Sequence, residues 1–332
     1  GYGYDEYALR RAGGKGKPEK TYFDKTVDDE NVIIPLVALR QEDGSYKPLT
    51  YRPDLVRGFS LIGEAYKTEI DVNEMITRIY EVDVHLKEGE TRVEATKVEE
   101  IPAKVQFSLF PDPKADLIAE VSRSIQFPNI SLKEITKYVA RAIDLLLETQ
   151  RATLEELFYH RYKVALAIKG YIQSFLEGYA QARFETFRTE KKLGTCPSFI
   201  LPSTVEIFLH EDTEYSKHFY ERAYLMNSEE KIVASKIDSL ANVRWWLRNI
   251  ERSGFYLQGY RKGRFFPDFI VKTEKNNYCV IEYKGEYLLD TADTQYEEKN
   301  GAIWQNLAPD NYFFRLIGKD KINEVIDFIK NN

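Results

Sequence analysis

Cysteine is nearly absent from this chain: Cys196 and Cys279 are the two among 332 residues. Two thiols make neither a disulfide framework nor a four-ligand zinc site, and they read as reduced cytosolic side chains. Histidine is almost as scarce, with His85, His160, His210 and His218 scattered. The closest two are His210 and His218, too widely spaced to form a ligand pair on one helical turn. No apolar run approaches the roughly 18 residues needed to cross a bilayer. The opening Gly-Tyr-Gly-Tyr lacks the basic-then-apolar order of a secretory signal. These absences point to a cytoplasmic protein with no membrane partner. The first residue is not Met, which suggests an excised fragment with sequence missing upstream. A phosphate-binding loop is absent as well. Gly13, Gly14, Lys15, Gly16 and Lys17 do not carry the Gly-x4-Gly-Lys-Ser/Thr spacing, and no ATP site is legible in this fragment.

A positive balance is also missing, since the net charge is −6, whereas dedicated nucleic-acid binders are often basic. The distribution is less even than the total. Between Asn242 and Phe265 stand Arg244, Arg248, Arg252, Arg261, Lys262 and Arg264, against Glu251 as the single acid. A local patch of this kind suits a phosphate backbone; a solvated surface run is the rival reading.

Periodicity divides the chain into four parts. Residues 1–30 read as a poorly ordered lead-in. Residues 31–110 follow a period of two and read as a β-rich segment, with a strand over residues 32–39, an Asp43-Gly44 turn, a strand through Ile79, Val82, Val84 and Leu86, and another over residues 93–98. Residues 111–192 turn helical and read as a connector. One helix starts near Ser131 and buries Ile135, Val139, Ala142 and Leu146. A second opens at Thr153, with Glu156 as its capping mate, and carries Leu157, Tyr162, Leu166, Ile168, Tyr171 and Phe175. Residues 193–332 alternate strand and helix. The predicted fold class is therefore α+β, with a helix over 228–240, strands leading to a hairpin, a helix over 293–307, a strand over 312–317 and a helix over 321–330.

The hairpin carries the chemistry. Residues 264–271 form an apolar strand interrupted by Asp268, residues 274–277 supply a turn, and residues 278–284 form a second strand with Glu282 and Lys284. Two positions apart, Glu282 and Lys284 share a face, and antiparallel pairing sets Asp268 beside Glu282. Two converging carboxylates repel one another. A hard divalent cation removes that conflict, and oxygen ligands suit Mg²⁺. Lys284 beside it positions or activates a water. Glu230 lies on the apolar stripe of the preceding helix and has two competing readings, an inward ligand or the capping-box mate of Asn227.

Glu230, the run Phe266-Pro267-Asp268-Phe269-Ile270-Val271 and the run Ile281-Glu282-Tyr283-Lys284-Gly285-Glu286 together resemble the PD-(D/E)XK nuclease superfamily. With residues 242–249 before the motif, and Asp293, Thr294, Lys299 and Trp304 after it, residues 225–310 look like the C-terminal region of the Res subunit of type III restriction enzymes and related helicase–nucleases. The resemblance implies a restriction-endonuclease-like αβββαβ domain. It implies Asp268, Glu282 and Glu230 as ligands of Mg²⁺, with the backbone carbonyl of Tyr283 assisting. Lys284 would orient the attacking water and stabilise the developing charge, and the products would be a 5′-phosphate and a 3′-hydroxyl. It implies double-stranded DNA as substrate, an upstream helicase motor that uses ATP, and a modification methyltransferase (Mod) subunit as partner. Arg244, Arg248, Lys262 and Arg264 would then hold phosphates, and Gln258 would project near the metal. Trp245 and Trp246 read first as core and second as a stacking platform for an unpaired base. Two rival functions stand beside endonuclease action: a non-catalytic scaffold for DNA docking or subunit assembly, and an exonuclease or single-strand nuclease of a repair helicase.

Overall fold

A computed structural model describes residues 21–29, 31–63, 70–80 and 111–332. The protein is mixed α+β, and its chain forms two compact units. The first contains the chain up to Leu49, together with Phe187–Gly259 and Gly263–Asn332; the second contains Thr50–Thr186 with Tyr260–Lys262.

The first unit is built on a four-stranded sheet of β6 (Val243–Arg248), β7 (Phe269–Thr273), β8 (Tyr278–Tyr283) and β9 (Tyr312–Ile317), in that spatial order. The first two pairings are antiparallel and the last is parallel. The β7–β8 turn is tight because Asn276 takes a left-handed φ of 63°, which asparagine tolerates better than most residues. Between β8 and β9 the chain crosses over through α7 (Ala292–Leu307), as a parallel pair requires. Preceding β6 is α6 (Ser228–Asp238), and α8 (Ile322–Asn331) closes the chain.

Period-two alternation gives the sheet two buried faces. Phe269, Val271, Cys279, Ile281 and Tyr283 share a core with Val233 and Ile237 of α6 and with Val325, Ile326 and Ile329 of α8. The other face meets α7. There Gly301 lies so near Phe314 that an added Cβ would fall 2.1 Å from the ring, so glycine is what allows α7 to approach β9. Trp304 is fully buried, and its indole N–H donates to the Pro35 carbonyl at 2.8 Å. Burial of this kind stabilises by about 3 kcal/mol per large side chain.

Pro35 belongs to β2 (Ile33–Arg40), which pairs with β3 (Tyr46–Pro48) and, along its length, with β4 (Leu193–Ile200). A small ladder joins β1 (Thr21–Asp24) to β5 (Thr204–Ile207). The sequence division therefore needs correcting. Residues 21–24, expected in an unordered lead-in, form a strand, and the early strands fold with the C-terminal unit instead of making a module of their own. Pairing partners as far apart as Leu39 and Leu193, or Thr21 and Ile207, leave no local signature.

In the second unit the expected strand at Ile79 is instead the end of a helix, α1 (Val72–Tyr80). The rest of that strand and the one over 93–98 fall outside the described residues. Four helices follow: α2 (Pro113–Ser124), α3 (Leu132–Glu148), α4 (Leu154–Tyr159) and α5 (Arg161–Thr189). Ser131 and Glu134 form a capping box on α3, which buries Ile135, Val139, Ala142 and Leu146 as the spacing predicts. Thr153 and Glu156 cap α4 in the same way. The helix expected to continue from there breaks at His160, and the break resets the helical phase. Ile168 and Tyr171 face inward, whereas Tyr162 and Leu166 turn outward, 72% and 51% exposed. Among the described residues no helix is long and apolar enough to cross a membrane.

Candidate active site

Ionisable side chains gather at one end of the four-stranded sheet, where β6, β8 and β9 finish and β7 begins. In sheets with parallel strands the carboxyl ends are where ligands usually bind. Asp268 precedes the first residue of β7. The pairing of Phe269 with Ile281 runs on to set Asp268 opposite Glu282, the arrangement the hairpin pattern predicts. The Tyr283 backbone N–H donates to Asp268 Oδ2 at 2.7 Å. Arg248, the last residue of β6, donates from Nη1 to Asp268 Oδ1 at 2.7 Å and to the Asp268 carbonyl at 2.9 Å. Its other amino group meets Glu230 Oε1 at 3.2 Å. The guanidinium also lies over the Phe269 ring, 5.3 Å from its centroid.

Lys284 stands between two carboxylates. Its Nζ is 2.6 Å from Glu282 Oε1 and 2.6 Å from Glu297 Oε2 of α7. Glu282 is 5% exposed, and its Oε2 is buried with no hydrogen-bond partner among the described residues. A buried ionised oxygen left unpaired costs about 1–3 kcal/mol or more. Burial, then the facing Asp268 carboxylate, push the Glu282 carboxyl well above the usual range. Burial likewise raises Glu230, against the opposing pull of Arg248, and raises Glu297. Burial works against the charge of Lys284, but Glu282 and Glu297 outweigh it and hold the ammonium above the ordinary lysine range. Arg248 is held charged by Asp268 and Glu230 in the same way.

A buried histidine supports the site from behind. His218 accepts the Arg248 backbone N–H at Nε2 (3.1 Å), and its Nδ1 lies 2.7 Å from the Tyr220 carbonyl. Those two contacts require the neutral ring protonated at Nδ1. Burial pushes its pKa down to about 4.

Of its two competing readings, Glu230 shows the capping box. Its Oε2 accepts the Asn227 backbone N–H at 2.8 Å, completing a capping box, and its Oε1 faces the site through Arg248. Tyr283 contributes its N–H to Asp268 and its ring to the core.

The basic residues expected to hold phosphate are dispersed. Arg248 is inside the site, its side chain 11% exposed, rather than on a surface. Arg244 pairs with Asp29. Arg264 is exposed and stacks on Tyr256, 4.0 Å from the ring centroid. Lys262 is exposed and belongs to the second unit, as does Arg261, which pairs with Glu177. Gln258 is buried and donates to the Gly259 carbonyl at 2.9 Å. Trp245 and Trp246 are fully buried, their indoles donating to Asp29 and Asp238, so they are core and not a stacking platform.

Sequence reasoning missed Glu297 and Asp29. Glu297 sits one helical turn before Gly301 on α7, and its spacing from Lys284 is not that of any local motif. Asp29 accepts from Lys272 and Trp245 as well as Arg244. Burial opposes its charge, but those bonds outweigh it and lower its pKa. A separate cleft of about 310 Å³, lined by Phe199, Leu201, Tyr220, Leu247 and Asn249 among others, contains none of Glu230, Asp268, Glu282 and Glu297.

Among the described residues no three His, Cys, Asp or Glu side chains stand as a ready-made cation cage. The fit to a metal is one of charge and of an open acceptor. Among the described residues the cations paired with Glu230, Asp268, Glu282 and Glu297 are Arg248 and Lys284, a formal excess of two carboxylates over cations that one divalent cation would balance, and Glu282 Oε2 is an unused hard oxygen of the kind Mg²⁺ takes. Comparison with protein-family models, curated proteins and solved structures returned no match.

Proposed function

We propose that the first unit is a metal-dependent nuclease hydrolysing DNA phosphodiester bonds, with Asp268, Glu282 and Lys284 as its catalytic residues. The observation that carries this reading is the buried, acid-rich cluster with its unpartnered Glu282 oxygen at the carboxyl end of the sheet. Carboxylates crowded without matching cations are costly. A structural ion-pair network would be expected to balance, whereas this one leaves an opening of the right sign for a cation.

Asp268 and Glu282 would hold Mg²⁺, which supplies Lewis acidity and a more acidic bound water. Lys284 remains charged, so it acts as a donor to a phosphate oxygen or to the attacking water and not as a base. Asp268 is fixed for its role by the Tyr283 N–H and the Arg248 guanidinium. Glu230 contributes through Arg248. The order helix, three strands, helix, strand from α6 to β9 is the order that a restriction-endonuclease-like reading calls for. With the residue resemblance in 225–310, it supports placing the chain in a type III restriction (Res) subunit or a related anti-phage helicase–nuclease. In that setting the substrate is double-stranded DNA, ATP is used by an upstream motor, and a Mod subunit reads the site. Arg264 is the exposed candidate in the first unit for a phosphate contact.

One observation favours the scaffold alternative. Both oxygens of Asp268 are already engaged, by Arg248 and by Tyr283, so cation binding there must share an oxygen with the guanidinium or displace it.

The test is cleavage of supercoiled plasmid in Mg²⁺ or Mn²⁺ beside Glu282→Gln, an isosteric change that removes a buried charge and so should not harm folding. Cation-dependent nicking or linearisation that is lost in the variant supports an endonuclease. Cleavage of linear but not circular DNA would indicate an exonuclease. Absence of both cleavage and calorimetric cation binding would leave the scaffold.

A further inference from the structure

Glu297 lies outside the hairpin that carries Asp268, Glu282 and Lys284. It projects from α7, and its carboxylate reaches the same ammonium as Glu282, at the same 2.6 Å. Its side chain is 20% exposed and that of Lys284 17%, so the contact is neither a flexible surface pair nor sealed from solvent.

An ammonium has three N–H donors. Glu282 on a strand and Glu297 on a helix each stand 2.6 Å from its nitrogen as ion-pair partners, and a third acceptor can share its donors. A divalent cation drawn to Glu282 would repel Lys284 and weaken the hold that Glu282 has on it. An anion on an independent element is then what keeps the ammonium in place beside the cation.

We propose that Glu297 is the positioning residue for Lys284, holding the ammonium at the site with one N–H directed to a phosphate oxygen or attacking water. The catalytic part of this assignment rests on the nuclease reading; the clamp itself does not.

Two measurements separate the two. The first uses the metal-free protein, with reductive methylation of lysines followed by mass spectrometry in wild type, Glu297→Ala and Glu297→Gln. Lys284 should be modified slowly in wild type, about tenfold faster in Glu297→Ala, where an anion at contact distance is lost, and at an intermediate rate in Glu297→Gln, which keeps an acceptor of the same shape. Equal rates in wild type and Glu297→Ala overturn the clamp, and the isosteric variant guards against misfolding as the cause of a difference. The second compares plasmid cleavage by the same proteins, where kcat should fall in Glu297→Ala and be partly restored in Glu297→Gln. Equal cleavage by all three overturns the catalytic role of the clamp. A wild type that neither cleaves nor binds a cation, yet still shows the methylation difference, removes the nuclease reading and leaves the clamp standing.

Discussion

Asp268 Oδ2 accepts the backbone N–H of Tyr283 at 2.7 Å, so the carboxylate that precedes β7 is tied to the strand that carries Glu282. Its second oxygen is held by Arg248. A charged group fixed at both oxygens loses little further side-chain freedom on binding, which is the preorganisation that electrostatic catalysis needs. The same arrangement makes each partner of Asp268 an energetic liability when deleted.

Arg248→Met is therefore expected to destabilise the metal-free protein by about 3–5 kcal/mol, the usual result of stranding one side of a buried ion pair. Denaturant unfolding measures the loss. Because the variant leaves Asp268 and Glu230 without their cation, added Mn²⁺ should raise its midpoint more than that of wild type. An equal shift in both would mean that the cation does not bind at this cluster.

Lys284→Ala is expected to lower cleavage by about 10²–10⁴-fold, the range for removing a positioned donor or charge from an active site. It also leaves Glu282 and Glu297 facing each other unbalanced, so unfolding midpoints should fall as pH rises and those carboxyls ionise. Unchanged plasmid cleavage in a folded variant would remove Lys284 from the chemistry.

Acid should weaken the protein through His218. Its folded pKa of about 4 lies below the ordinary value near 6.5, so the unfolded chain takes up a proton that the folded chain refuses. Stability is then complete above about pH 6.5 and is lost as pH falls toward 4, by roughly 3 kcal/mol in all. Burial lowers His160 too, with the same sign, while Glu282 and Glu230, raised by burial, oppose it. The difference in unfolding free energy between wild type and His218→Gln isolates the ring, and a difference that does not vary between pH 7 and 4.5 would contradict the assignment.

The parts of this site visible in the sequence are those whose geometry is local. Glu282 and Lys284 share a face because strands have a period of two, and a short turn is enough to bring Asp268 back beside Glu282. The capping role of Glu230 follows from three-residue spacing after Asn227. Arg248 was legible as a charge but not as a buried one, because its burial depends on α6 and β7 meeting over it. Glu297 and Asp29 were invisible for the same reason: a crossover helix places one, and the other lies more than two hundred residues from the side chains it binds. The early strands failed similarly, since β2 has its main partner in β4.

Gly301 offers the sharpest test of how the fold holds the site. In a helix interior, Gly→Ala ordinarily stabilises by up to about 1 kcal/mol. Here the added methyl would meet three Phe314 ring atoms at 2.1–2.5 Å, and Phe314 is itself buried against Phe265, so the ring has little room to retreat. Overpacking of this kind costs about 1–3 kcal/mol, and the clash outweighs the gain in propensity. The expected outcome is a net loss of stability together with a shift of α7 away from β9. Glu297, four residues earlier on the same helix, would move with it and loosen its hold on Lys284. Gly301→Ala should then speed reductive methylation of Lys284 although neither Lys284 nor Glu297 is altered. A variant that is more stable than wild type, with Lys284 equally protected, would show that α7 does not set the position of the ammonium.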